Sequence, residues 1–137
     1  MPSGYSKRSL VEKLGIKANS NIRILHAPQG YDATLGALPP GIITKATPQV
    51  DFIQGFYVAS KVLKREFPGL KQGLKSDGTL WISWPKKAAK VETDLSENIV
   101  RNIGLENGLV DIKVCAVDEV WSGLKFVIRK DLRSVFG

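Results

Sequence analysis

Apolar positions along the chain switch between a period of two and a period near 3.6, and the switches mark its elements. In NIRILHAP, Ile22, Ile24 and Leu25 read as a buried strand stopped by Pro28. VDFIQGFYV, opening at Val50 just after Pro48, reads as a second strand. TLWISW is a third, with Leu80, Ile82 and Trp84 on one face and Trp81 and Ser83 on the other. Apolar side chains on both faces suit a central strand covered from both sides. VDIKVCAV places Val110, Ile112, Val114 and Ala116 on one face, and GLKFVIRK does the same with Leu124, Phe126 and Ile128. DEVWSG between them is short enough for an antiparallel hairpin.

Helical patterns fall between these strands. Ser9-Leu10-Val11-Glu12 has the form of a capping box, opening a short helix that ends near Gly15. Ser60 is placed to cap SKVLKREF, which turns Val62, Leu63 and Phe67 inward and Lys61, Lys64 and Arg65 outward. Pro68 should shorten or kink that helix. Ser76-Asp77-Gly78 reads as a turn. Asp94-Leu95-Ser96-Glu97 reads as a second capping box, followed by Ile99, Val100 and Ile103 and stopped at Gly108. Gln29 to Gly41 reads as loop, and IITKAT as a short strand. Alternating strands and helices argue for an α/β fold. The expectation is a three-layer Rossmann-like sheet, mostly parallel, with a C-terminal antiparallel hairpin, in a single domain spanning 1–137.

Composition narrows the chemistry. The chain has 137 residues and is 43% hydrophobic, enough for one core. No apolar run approaches the roughly 18 residues of a membrane span, and MPSGYSKRSLVEK has no apolar signal core. A cytoplasmic protein with no membrane partner is therefore expected. One cysteine and one histidine cannot build a His/Cys zinc site. There is no phosphate loop and no dinucleotide fingerprint. Cys115, mid-strand, reads as a buried inert thiol rather than the partner of a His26 base. Net charge is +7 and unevenly spread: residues 61–90 hold eight Lys or Arg against two Asp or Glu, a net of +6. Such an excess attracts anions or nucleic acid.

Val50-Asp51-Phe52-Ile53, and the turn Leu74-Lys75-Ser76-Asp77-Gly78-Thr79-Leu80 leading into a strand, resemble the second half of a class I methyltransferase. That resemblance spans roughly residues 20–130 and implies a truncated fold of the same kind. The segment after the first strand, His26-Ala27-Pro28-Gln29-Gly30-Tyr31, departs from the glycine-rich turn of that family. About two dozen residues then lead to VDFI, with no acidic residue where the family places one and no room for two further strand–helix units. On these departures no cofactor is expected, and S-adenosylmethionine specifically is not. WPKK and VDIKVCAVDEVWSGLKFV also resemble a family of small bacterial proteins catalogued as a domain of unknown function. That resemblance implies a stand-alone bacterial protein and no assigned activity.

In open parallel sheets ligands bind beyond the carboxyl ends of the strands. Here those ends supply His26, Pro28 and Tyr31, then Phe56, Tyr57 and Ser60, then Trp84, Lys86 and Lys87. Aromatics beside lysines suit an anionic small molecule such as a nucleotide. Asp118, Glu119, Trp121 and Lys125 form a second cluster near the hairpin, where Trp121 is expected to pack over the turn, an interface anchor being the alternative, and the acids can pair with Lys86 or Lys87. The first functional expectation is a non-catalytic domain binding an anionic ligand or a protein partner. The alternatives are a nucleic-acid module using the basic 61–90 segment with Trp84 as a stacking surface, and a methyltransferase-like enzyme with a degenerate cofactor site. The pattern sets no oligomeric state.

Overall fold

A computed structural model describes residues 8–130; the outermost residues of the 1–137 span expected for the domain lie outside it. Ten elements follow in the order α1 (Leu10–Leu14), β1 (Ile22–Leu25), α2 (Tyr31–Leu35), β2 (Val50–Phe56), α3 (Ser60–Gln72), β3 (Leu74–Pro85), a 3₁₀ turn (Lys87–Ala89), α4 (Glu97–Glu106), β4 (Leu109–Ala116) and β5 (Trp121–Ile128). The five strands form one sheet in the order β1-β2-β3-β5-β4. The first three are parallel; β5 runs antiparallel to β3, and β4 to β5. This is the expected Rossmann-like sheet with its terminal hairpin.

Each face of the sheet carries its own core. On one, Leu80, Ile82 and Trp84 of β3 join Leu124, Phe126 and Ile128 of β5 beneath Leu63 and Phe67 of α3 and Val100 and Ile103 of α4. On the other, Trp81 packs with Val11 and Leu14 of α1, Tyr31 and Leu35 of α2, and Phe52 and Phe56 of β2. The Trp81 indole N–H donates to the Leu14 carbonyl at 2.8 Å, which satisfies the one polar atom of a fully buried ring. β3 is thus the central strand its two-faced apolar pattern predicts.

Several local expectations need correction. Helix α3 runs for 13 residues straight through Pro68. Phe67 and Leu70 are buried on either side of it, and their packing outweighs the one backbone bond that proline removes. Ser60 does not cap this helix. The Asp94 carboxylate does so from a distance, accepting from the Ser60 backbone N–H and hydroxyl, each at 2.7 Å. Asp94 is therefore no part of a capping box for α4, whose cap is Ser96. Ser76-Asp77-Gly78 is not a turn but an irregular stretch of β3, where the register against β2 shifts between Val50 and Phe52. The glycine-rich loop contains α2, and IITKAT contributes only a single parallel bridge from Ile43 to Asn21. In β4 a shift between Asp111 and Lys113 breaks the alternation, leaving Ile112 and Val114 52% and 44% exposed.

Candidate functional site

Three strand ends and the start of β5 meet at one edge of the sheet. There, His26, Phe56, Tyr57, Val58, Ala59, Val62 and Trp121 line an open, mainly apolar cavity of 310 Å³. Tyr57 closes its floor: a Cβ on Gly55 would meet the Tyr57 ring at 2.7 Å, so glycine is what lets the ring fold back over β2. Phe56 stands edge-on between Tyr31 and Trp121, with ring centroids 4.8 and 5.1 Å away. Trp121, expected in a separate cluster, is brought into this site because Pro85 and Trp121 are register partners at the end of β3.

His26 follows β1 in the left-handed conformation, at φ +58°. A side chain there costs about 1–2 kcal/mol relative to glycine, and two partners hold it. Its Nε2 lies 2.9 Å from Glu66 Oε1, and its ring meets Tyr57 edge-on at 5.2 Å. Tyr57 donates its hydroxyl to the same Glu66 oxygen at 2.7 Å. The bonds from His26 and Tyr57 hold the Glu66 carboxyl below its ordinary range, so it is a carboxylate at neutral pH. Burial, reinforced by Glu66, pushes the Tyr57 phenol well above its ordinary value. The sequence reading passed over Glu66. Its signal was the i, i+4 spacing from Val62, which puts both on the flank of α3 that faces β1.

Under the site lies a buried polar chain. Tyr31 donates to Gln54 Oε1 at 2.7 Å, and Gln54 Nε2 donates to Ser83 Oγ at 3.3 Å. Gln54 and Ser83 are fully buried, and burial raises the Tyr31 phenol far above its ordinary value. The chain ties the start of α2, and the Pro28 turn whose carbonyl accepts from Tyr31 N–H, to the sheet.

The other sequence candidates sit elsewhere. Trp84 is 5% exposed and offers no ring face for stacking, against the nucleic-acid expectation. With Pro85 and Lys87 it borders a neighbouring 480 Å³ recess reaching Thr93, Asp94 and Ser96. Ser60 is engaged by Asp94, and Lys86 is held through its backbone N–H on the Val120 carbonyl at 2.7 Å. Asp118 does not pair with Lys86 or Lys87; one carboxylate oxygen accepts from the Val120 and Trp121 N–H groups at 2.8 Å and shapes the hairpin. Glu119 is exposed on that turn, and Lys125 lies mid-strand opposite Lys113. Cys115 is half-buried rather than buried as expected, and burial pushes its thiol up. A cavity of 370 Å³ beside Pro68, Lys71 and Leu74 lies at the opposite end of the sheet, away from the carboxyl ends. Among the described residues no group of His, Cys, Asp and Glu is arranged to hold a metal ion, and no helix is long and apolar enough to cross a membrane.

No family model matches the chain, and no curated protein matches it. Solved structures do. An S-adenosylmethionine-dependent methyltransferase from Aquifex aeolicus superposes with a TM-score of 0.62 at 16% identity, over 88% of each chain. The fold is that of the S-adenosylmethionine-dependent methyltransferases. The DhpI complex with S-adenosylhomocysteine matches with a TM-score of 0.61 at 12% identity, over 88% of this chain and 83% of that one. Magnesium protoporphyrin IX methyltransferase from Synechocystis PCC 6803, with S-adenosylmethionine bound, gives 0.56 at 12%, over 88% and 74%. These matches overturn the expectation that no cofactor belongs here and that S-adenosylmethionine is foreign to this sheet. Proteins of the same fold hold that molecule or its demethylated product.

Proposed function

We propose that this chain binds S-adenosylmethionine at the carboxyl ends of β1 and β2 and acts as a methyltransferase. The observation that carries the proposal is the match over 88% of both chains to the Aquifex methyltransferase, a protein about as short as this one. A chain of this length is therefore compatible with the fold of that protein. This supports methyl transfer better than the non-catalytic role placed first on sequence grounds.

The residues at the site suit the molecule. S-adenosylmethionine joins a flat adenine to a positively charged sulfur that gives up a methyl group to a nucleophile. Trp121, half-buried, offers ring surface to the flat part and a π-face to the cation, with Phe56 and Tyr57 buried behind it as apolar backing. Glu66 adds a carboxylate near the mouth, fixed by His26 and Tyr57. This wall favours a ligand with a positive charge over the anion expected from the lysines, since Lys86 and Lys87 do not line this cavity. A volume of 310 Å³ open to solvent lies at the lower end of the range for small-molecule sites, about 300–1,000 Å³.

Calorimetric titration of S-adenosylmethionine and S-adenosylhomocysteine into the full chain tests the proposal. Saturable heat is expected for both, weakened at least tenfold by Val62→Trp, which fills the cavity. Absence of heat on the order of millimolar ligand, or a folded Val62→Trp variant that binds as well as wild type, would refute it.

A further inference from the structure

The basic residues that sequence assigns to one segment are dispersed in three dimensions. Lys75 pairs with Asp51, and Lys61 and Lys64 point outward from α3. Another group of lysines comes together on the α1 face of the sheet, from parts of the chain far apart in sequence. Lys113 of β4 and Lys125 of β5 are direct register partners. They share a face with Gly123, Cys115 and Trp121, the face on which α1 lies. Lys13, from α1, and Lys17, from the turn after it, border the same area: Lys13 acts on Cys115 and Lys17 on Lys125. None of the four has an ion-pair partner among the described residues. Asp111 pairs with Arg101 on the far face, Asp118 holds its turn and Glu12 caps α1; Asp51, paired with Lys75, and Asp77 border a recess with Lys17, but neither lies within ion-pair distance of it.

From this juxtaposition we propose that the α1-side face of β4 and β5 is a nucleic-acid-binding surface, with Lys13, Lys17, Lys113 and Lys125 contacting phosphates. Like charges on facing strand positions repel, and half-burial of Lys125 adds a desolvation cost that depresses its pKa. An isolated chain gains nothing from this arrangement, whereas a polyanion laid across it relieves both effects. A nucleic-acid backbone fits better than an acidic protein surface. The four cations are lysines, point charges suited to phosphates in a row, with no arginine fork for bidentate carboxylates. Net charge of +7 adds long-range attraction. The inference stands apart from the cofactor proposal, since none of these lysines lines the cavity.

The test is fluorescence anisotropy of the full chain with labelled single-stranded RNA, single-stranded DNA and duplex DNA, across a salt series. Binding is expected at low salt, with a log–log slope near −0.7 per phosphate contacted on a single strand. Lys113→Glu with Lys125→Glu should weaken it at least tenfold. The milder Lys17→Gln with Lys113→Gln, both at exposed positions, should reduce the slope by about 1.4 if two phosphate contacts are lost. The three nucleic acids separate a strand-specific surface from a general one, and either result supports the proposal. It is overturned if no nucleic acid binds at low salt, if Lys61→Glu with Lys64→Glu weakens binding as much, or if polyglutamate binds as tightly as the oligonucleotides. S-adenosylhomocysteine calorimetry on the Lys113/Lys125 variant should be unchanged, so the two proposals fail separately.

Discussion

Tyr31 and Tyr57 both bury a phenol and both donate at 2.7 Å, yet removing their hydroxyls should cost different amounts. Tyr31→Phe leaves Gln54 Oε1 without its donor inside the core, a loss of about 1–3 kcal/mol. Tyr57→Phe leaves a Glu66 carboxylate that still has His26 and partial access to water, and should cost closer to 0.5–1.5 kcal/mol. Urea denaturation of the two variants checks the order, and a larger loss for Tyr57→Phe would contradict it. Protonation works at both ends of the pH scale. Asp51, Glu66 and Asp111 titrate below their ordinary 3.8, 4.5 and 3.8 when folded. Their contribution is therefore complete above those values and is lost as pH falls through the lower folded ones. The two phenols titrate above 10 when folded, so stability should also decline as pH rises past 10. Melting temperature measured from pH 3 to 11 should show a plateau with both flanks. Gln54 stood in plain view as a polar residue within an apolar strand. Glu66 was hidden, because spacing along α3 tells which flank a residue is on but not that His26 waits opposite.

Helices are placed here by contacts that come from distant chain. Asp94 caps α3 from the strap that follows β3, while Thr93 donates to the Val58 carbonyl at 2.5 Å. Asp94→Ala should lower the melting temperature, and Ser60→Ala should lower it less, because the Ser60 backbone N–H would keep its acceptor. Periodicity announced β3 and β5 correctly, since each buries the alternate positions it advertises. It failed for β4, where one extra residue between Asp111 and Lys113 re-aims the following side chains. It failed too at Pro68, where a local rule lost to the burial of Phe67 and Leu70. Helix α4 meets the sheet at Gly104, where a Cβ would run into the Phe126 ring. Gly104→Ala should destabilise by about 1–3 kcal/mol through overpacking. Combined with Phe126→Leu it should cost less than the sum of the two changes, and strict additivity in a denaturation cycle would contradict that coupling.

Across the whole molecule, the order β1-β2-β3-β5-β4 puts the carboxyl ends of the parallel strands and the start of β5 on one rim. This much was legible, because alternation of helix and strand fixes the fold class and the fold class fixes the end at which ligands bind. The kind of ligand was not. Lysines near the strand ends in sequence turn away from the cavity, whereas Glu66 and Trp121, unremarkable or misplaced by sequence, line or flank it. The shortened first half, without the family's acidic residue and glycine-rich turn, points away from S-adenosylmethionine on sequence grounds, whereas proteins of this fold hold it. The match to a methyltransferase of similar length shows that this fold is built in a chain of about this size. The most direct test is an ¹⁵N–¹H correlation spectrum of the full chain titrated with S-adenosylhomocysteine. Saturable shifts centred on His26, Tyr57, Val58, Val62 and the Trp121 indole are predicted. An unchanged spectrum on the order of millimolar ligand, or shifts centred on the opposite end around Pro68 and Leu74, would contradict the account.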